Sequence, residues 1–196
     1  RKYTKIPIIS YFPSIINHND RFLIMTFIDN NNDQPNQTND DFLNAIVSIH
    51  SLNSSNYGFS FDTQIGGLKQ INSISKNWKD FYTNKRLYYI FDLVNKKEPM
   101  DKAINTKIDL LIKKIDNFIP NKPIASLLHG DLWEGNILFK NKKFVGFIDP
   151  GSFYGHNELE ISYLRWFNPK FIDKSFLDKY NDCLLYTSPS PRDDGV

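Results

Sequence analysis

The 196-residue sequence has a single cysteine, Cys183, so no internal disulfide can staple the chain and a reducing compartment, the cytoplasm, is its expected setting. It has no stretch of about 18 uncharged apolar residues, so no membrane partner is expected. The opening Arg1-Lys2-Tyr3-Thr4-Lys5 leads into a strand-like run and not into the apolar core of a signal peptide. An excess of one charge is missing too. Lys plus Arg total 24 against 22 for Asp plus Glu, and a net charge of +2 is too small a field to gather nucleic acid or an anionic bilayer. The partner must therefore be argued from a site. What the chain does have is 40% hydrophobic and 15% aromatic residues, enough for one ordinary core in one globular domain or part of one. It opens without a methionine and without a loop-helix prelude, and so reads as a fragment.

Two apolar or β-branched runs, 7–11 and 21–28, lie either side of the polar stretch Asn17 to Asp20 and predict a β-hairpin. Residues 29–40 are dense in Asn, Asp and Gln with one Pro, the composition of an exposed connector. Phe42, Ala45, Ile46, Ile49 and Leu52 then recur at helical spacing, with Asp40 or Asp41 as the expected N-cap. Further helices are predicted over 76–94, through Trp78, Phe81, Tyr82, Leu87 and Ile90, and over 102–118, through Ile104, Ile108, Leu111, Ile112 and Ile115. After Pro123 the rhythm changes to short strands at 124–128, 137–140 and 144–148, the last two joined by a tight turn at Asn141-Lys142, and 158–167 returns to helix. The Ser-, Pro- and charge-rich stretch 186–196 cannot continue a helix and is expected to be a disordered tail, or adapter-derived sequence foreign to the protein.

The chemistry lies between Leu127 and Glu160. His129-Gly130-Asp131 is followed by Asn136, five residues after the Asp, and then by Asp149 at the end of the next predicted hairpin. This is the H-x-D-x-x-x-x-N spacing of a kinase catalytic loop. Phosphoryl transfer needs one carboxylate to accept the acceptor's hydroxyl proton and oxygen ligands to hold magnesium on the phosphates. Asp131 suits the first task. Asn136 offers a neutral carbonyl oxygen and Asp149 a charged one, and Mg²⁺ needs only one or two such ligands beside the nucleotide phosphates. His129 is two residues from Asp131, so on an extended loop both side chains fall on one side, and the imidazole is expected to orient the loop. An isolated HGD triplet would be an ordinary turn sequence. Here the Asn spacing, the hairpin and the strand-terminal Asp coincide with it.

HGDLWEGN with FIDPGSFYGHNELE resembles the fructosamine kinase or ketosamine kinase family, a relative of the aminoglycoside and choline kinases. Tyr57-Gly58-Phe59, the DTQIG segment 62–66, Gln70 with Asn72, and Trp78 to Tyr82 leading to Arg86-Leu87 extend the resemblance, which covers about residues 20–167. It implies an α+β, protein-kinase-like fold: a mostly helical C-terminal lobe with a small β-hairpin cluster, preceded by the last strands of an N-terminal β lobe. Residues 1–29 would be the remnant of the ATP-binding lobe and its hinge, 30–185 the catalytic lobe and 186–196 the tail. The resemblance implies Asp131 as base, Asn136 and Asp149 as Mg²⁺ ligands, and Trp133 as an aromatic near the acceptor or plain core. Met25, Thr26, Phe27 and Ile28 would form the hinge whose backbone meets adenine. His156 and Glu158, beside the YGH sequence, are candidates for substrate contact, although a histidine at such a position is more often a packed structural group. The implied reaction is ATP-dependent phosphorylation of a sugar hydroxyl on a small-molecule or protein-bound ketosamine, a deglycation repair, by a monomer. The Gly-rich phosphate loop, the strand lysine and the helix glutamate of such kinases find no match in the sequence, so the chain by itself is expected to bind ATP poorly.

Three other readings compete. One is another small-molecule kinase of the same superfamily, acting on an aminoglycoside, choline, homoserine or methylthioribose. A second is a metal-dependent hydrolase using His129, Asp131, Asp149, His156 and Glu158 as ligands, which leaves Asn136 unexplained. The third is a non-catalytic, kinase-like binding module.

Overall fold

The computed structural model describes residues 8–187. In chain order it contains strands β1 (Ile15–His18) and β2 (Leu23–Met25), helix α1 (Asp40–His50), strands β3 (Asn53–Ser54), β4 (Thr63–Ile65) and β5 (Leu68–Gln70), and helices α2 (Trp78–Tyr82), α3 (Tyr88–Lys97) and α4 (Lys102–Lys113). Strands β6 (Ala125–Leu128), β7 (Ile137–Lys140), β8 (Lys143–Phe147) and β9 (Phe153–Gly155) follow, then helices α5 (Asn157–Trp166) and α6 (Lys174–Thr187). Small antiparallel sheets among helices are the α+β arrangement the sequence predicts. The described residues divide into two compact units, one of residues 8–52, 131–150 and 160–187, the other of residues 53–130 and 151–159.

In the first unit, β7 and β8 form a hairpin that pairs Ile137 with Phe147 and Lys140 with Lys143. Its two-residue turn is Asn141-Lys142, both left-handed at φ 50° and 64°, the backbone that matches the twist of antiparallel strands. The inward side chains of the hairpin meet α1 and the segment leading to α6. Phe42, Phe139, Phe147, Phe171 and Phe176 are all fully buried, with Phe42 stacked on Phe176 at 5.6 Å and edge-on to Phe171 at 5.5 Å. Truncation of a phenylalanine in such a core typically costs about 3–5 kcal/mol. The connector 29–39 lies across the hairpin. The amides of Asn31 and Asn32 both donate to the Phe139 carbonyl, Asn31 pairs with Asn141, and Lys140 pairs with Asp29. The segment is mostly exposed, as its composition predicts, and its polar side chains tie it down. At the far end of the unit, Asp173 caps α6 by accepting from the Phe176 amide at 2.8 Å. The Thr38 hydroxyl and the helix-start amides hold its carboxyl below the usual aspartate range.

Several expectations are corrected. Residues Ile8–Tyr11 form a 3₁₀ turn and not a strand, and Pro7 lies outside the described residues. A proline preceding a four-residue run withholds a ladder N–H and favours a helical first turn. The hairpin exists, but its first arm is Ile15–His18, paired with Leu23–Met25 around an Asn19 side chain that accepts from the Arg21 and Phe22 amides. The α1 cap is Asn39, accepting from the Phe42 amide at 2.9 Å, and Asp40 and Asp41 occupy the first turn, where the helix dipole favours them. The helix predicted over 76–94 forms as one continuous helical run from Trp78 to Lys97, with a π-helical turn at Thr83–Leu87 inside it. The helix predicted over 102–118 stops at Lys113, followed by a 3₁₀ turn at Ile115–Asn117. Tyr186 and Thr187, assigned to the tail, continue α6, and residues 188–196 lie outside the described set.

One polar group of the first unit is fully enclosed. His50, at the end of α1, places Nε2 2.8 Å from Glu160 Oε2 and Nδ1 2.5 Å from the Tyr180 hydroxyl, joining α1 to α5 and α6. Removing one partner of such a buried pair strands the other and typically costs about 3–5 kcal/mol. His50→Ala is therefore expected to lower the unfolding free energy by at least about 3 kcal/mol, measured by urea denaturation; a loss under about 1 kcal/mol would show that the network is incidental.

Candidate active site

In the second unit, β6 is the centre of a three-stranded sheet, with β3 on one side and β9 on the other. Its apolar face packs on Trp78, Phe81, Tyr57 and Phe153. The strand is followed by His129, which is fully buried and whose main-chain carbonyl accepts from the Ser152 hydroxyl at 3.4 Å. Gly130 follows with φ 88°, and a Cβ there would lie 2.1 Å from the carbonyl oxygen of Gly151. The glycine of the HGD triplet is thus required both by its left-handed backbone and by a backbone approach that leaves no room for a side chain.

The Gly151 carbonyl is itself held from a distance. Thr63 and Gln70, the cross-strand pair at the open end of the β4–β5 hairpin, both donate to it, at 3.1 and 3.2 Å. Asn72 donates to the Thr63 hydroxyl at 2.8 Å, and Arg86 donates to the Asn72 side-chain oxygen at 2.8 Å. Arg86 lies over the rings of Phe81 and Phe153, 4.8 and 4.2 Å from their centroids, and burial lowers its pKa to about 10. A chain of hydrogen bonds therefore runs from Arg86 to the peptide after the DP dipeptide. The residues in DTQIG, Gln70, Asn72 and Arg86 that carried the family resemblance are its links. His156 belongs to the same unit. Its ring is edge-on to Trp78 at 6.4 Å, its Nδ1 is 3.8 Å from Glu158, and burial pushes its pKa down against the opposing pull of Glu158.

In the first unit, the chain resumes at Asp131 and makes a 3₁₀ turn at Glu134–Asn136 before entering β7. Asn136 is buried and its Nδ2 donates to the Asp131 main-chain oxygen at 2.8 Å and approaches Asp131 Oδ2 at 3.4 Å. Both neighbours of that nitrogen are acceptors, which fixes the amide orientation and directs its oxygen elsewhere. The Ile148 amide donates to the Asn136 carbonyl at 3.1 Å, extending the β7–β8 ladder by one pair. Asp149 is the next residue, in the left-handed region at φ 54°. That conformation costs roughly 1 kcal/mol outside glycine, is tolerated best by Asp and Asn, and is a common feature of functional loops. Asn136 and Asp149 thus stand at the open mouth of one hairpin. Ile28, the last of the hinge candidates, lies against β8 close to this mouth, where a Cβ on Gly146 would meet its side chain at 2.8 Å. Met25 ends β2, Thr26 exchanges hydrogen bonds with Ser14, and Phe27 is exposed.

Trp133 is 38% exposed, so it is not plain core. Its indole covers Gly135 and contacts Phe167 at 5.9 Å, and Phe167 contacts Tyr163 at 5.2 Å. Burial and the nearby Asp131 carboxylate together raise the Tyr163 pKa. Tyr163 was not singled out in the sequence, where an aromatic at helical spacing reads as packing. Among the described residues no group of three or more His, Cys, Asp and Glu side chains is placed to hold a metal, so the five-ligand hydrolase arrangement does not form.

Helices flanking small antiparallel β-hairpins give the chain a protein-kinase-like fold. Solved structures agree on the fold. A candidate fructosamine-3-kinase from Thermobifida fusca superposes with a TM-score of 0.75 at 22% identity, over 91% of this chain and 60% of that one. An aminoglycoside phosphotransferase superposes with a TM-score of 0.53 at 15% identity, over 92% of this chain and 64% of that one. The sequence model of the fructosamine kinase family matches residues 5–189, and the chain belongs to that family. Among curated proteins, a chloroplastic protein-ribulosamine 3-kinase of Arabidopsis thaliana is 34% identical over 160 residues, 79% of this chain and 48% of its own length. A ketosamine-3-kinase of Mus musculus is 36% identical over 125 residues, 64% of this chain and 40% of its own length. The chain spans about half the length of the curated relatives it matches.

Gly130→Ala is expected to destabilise the protein by more than about 2 kcal/mol, through backbone strain and displacement of the Gly151 peptide, as read by thermal unfolding. An alanine variant with wild-type stability would show that the close approach is not required.

Proposed function

We propose that the whole protein transfers the γ-phosphoryl group of ATP to a sugar hydroxyl of a ketosamine, in the repair of glycated amines. The observation that carries this reading is the contact of Asn136 with Asp131 together with the hairpin ladder that brings Asp149 beside Asn136. Asp131 is the base that receives the acceptor hydroxyl proton as the hydroxyl oxygen attacks phosphorus. Asn136 and Asp149 supply one neutral and one anionic oxygen, the donor set of a cation that keeps most of its remaining contacts with water and phosphate. Mg²⁺ bound there would neutralise charge on the nucleotide phosphates. The acceptor class comes from the relatives named as ribulosamine and ketosamine kinases.

The remaining assignments are part of the same proposal. Met25 to Ile28 offer main-chain groups to adenine, and the packing of Ile28 on Gly146 supports this by tying the segment to the strand that leads to Asp149. Trp133, half exposed next to the Asp131 loop, is the aromatic against which an acceptor would lie. His156 and Glu158 act on the acceptor side, with His156 neutral near pH 7 because burial disfavours its charged form. The protein works as a monomer in a reducing compartment such as the cytoplasm. Among the described residues no helix is long and apolar enough to cross a membrane.

The test is ATP-dependent phosphorylation of fructosamine, ribulosamine and erythrulosamine acceptors by the complete protein. Asp131→Asn is expected to lower kcat by about 100-fold to 10,000-fold, the usual contribution of a positioned base, while leaving nucleotide binding in place. Wild-type turnover in that variant would remove Asp131 from the chemistry. Transfer to an aminoglycoside or choline but to none of the ketosamines would replace the acceptor class.

A further inference from the structure

We propose that Thr63 and Gln70 are positioning residues for phosphoryl transfer, their side chains fixing the Gly151 peptide and, through the chain, the residues that lead to Asp131 and away from Asp149. The inference rests on the roles proposed for those two aspartates. Gly130 precedes Asp131 by one peptide, and Gly151 follows Asp149 by two. The two glycines touch, so closely that a Cβ on Gly130 would lie 2.1 Å from the Gly151 oxygen. That oxygen accepts from Thr63 Oγ1 at 3.1 Å and from Gln70 Nε2 at 3.2 Å. A carbonyl has two lone pairs, and here side chains of one hairpin provide a donor for each. The fit is tight on the other side as well. A Cβ on Gly151 would lie 2.5 Å from the Gln64 carbonyl oxygen and 2.7 Å from Gln70 Nε2, so the peptide runs flush against the β4–β5 hairpin.

The donors are themselves fixed. Thr63 and Gln70 are direct partners across the two strands, and Gln70 is buried. The Thr63 hydroxyl accepts from Asn72 Nδ2 at 2.8 Å, which leaves its own proton for the Gly151 oxygen. Asn72 is oriented in turn: its Oδ1 accepts from Arg86 at 2.8 Å, and its main-chain amide donates to Asp62 Oδ1 at 2.8 Å. One hydrogen bond would satisfy a buried carbonyl. The second donor, and the relay of Asn72 and Arg86 that orients it, exceed that need and point to a demand on where the peptide lies. A reacting group displaced by about 1 Å can cost roughly 100-fold in rate, and this peptide is one or two residues from both proposed groups.

Thr63→Val keeps the shape of the side chain and removes the hydroxyl, and Gln70→Leu removes the other donor. In the complete protein, folded by circular dichroism, each is expected to lower kcat for a ketosamine by about tenfold to 100-fold. Each is also expected to raise the Mg²⁺ concentration needed for half-maximal rate, with the acceptor KM unchanged. Thr63→Ser, which restores the hydroxyl, is expected to recover most of the loss. Wild-type kcat and Mg²⁺ requirement in Thr63→Val overturn the proposal, and so does a lowered melting temperature with no change in either, which would leave the hairpin a packing role only. A Thr63→Ser variant as slow as Thr63→Val overturns it too, because the hydroxyl would not be the acting group. If Gln70→Leu does not fold, Thr63→Val and Thr63→Ser decide the matter alone. Asp131→Asn and Asp149→Asn measured in parallel separate this claim from the one beneath it. If they collapse turnover while the hairpin variants retain it, the phosphotransfer reading stands and the positioning role falls. If they retain turnover, both fall.

Discussion

The β7–β8 hairpin is the constraint on which the site depends. Its closed end is a two-residue left-handed turn at Asn141-Lys142, and its open end carries Asn136 on one arm and Asp149 on the other. With the turn length fixed, a one-residue bulge between the Leu138 and Phe139 pairs, and the register set by inward Ile137, Phe139 and Phe147, the placement of the two proposed oxygen donors is decided by backbone geometry and not by loop flexibility. A slip of one residue would turn the buried phenylalanines to solvent. The aromatic core around Phe42 therefore does more than stabilise the unit, because it also locks the placement of the two proposed oxygen donors.

The second unit applies a comparable constraint to Gly130, the residue before the proposed base. Gly130 is pressed against the Gly151 peptide, and that peptide is held by Thr63 and Gln70 and, through Asn72, by Arg86. Unpartnered, a buried guanidinium would be costly; here backbone carbonyls, an amide oxygen and two ring faces offset its desolvation. The hairpin with the sequence DTQIG has few apolar contacts to justify its presence. Delivering two donors to one carbonyl explains it.

Local features were the legible part of the sequence. The H-x-D-x-x-x-x-N spacing, the Asn141-Lys142 turn and the helical repeat through Phe42, Ile46 and Ile49 each depend on residues near one another in the chain, and each appears in the structure. The α+β, kinase-like fold followed from them and from the resemblance. Pairings set by tertiary contact were not legible. Strands β3 and β9 are two and three residues long and exist because β6 lies between them. The π-helical turn places Arg86 over Phe81 and Phe153, a demand no helical periodicity reveals. Asn39 displaced two aspartates as cap because its side chain reaches the Phe42 amide. Tyr163 lies 32 residues beyond Asp131 in the sequence, and only the placement of α5 brings it near that carboxylate.

The central claim is that Asn136 and Asp149, at the mouth of one hairpin, form a cation site that works only together with nucleotide phosphates. Titration of the complete protein with Mn²⁺, followed by electron paramagnetic resonance with and without ATP, tests it most directly. The account predicts Mn²⁺ binding that is weak alone, strengthens when ATP is added, and loses that enhancement in Asp149→Asn and Asn136→Ala. Tight Mn²⁺ binding without nucleotide, or an ATP enhancement unchanged in both variants, would contradict it.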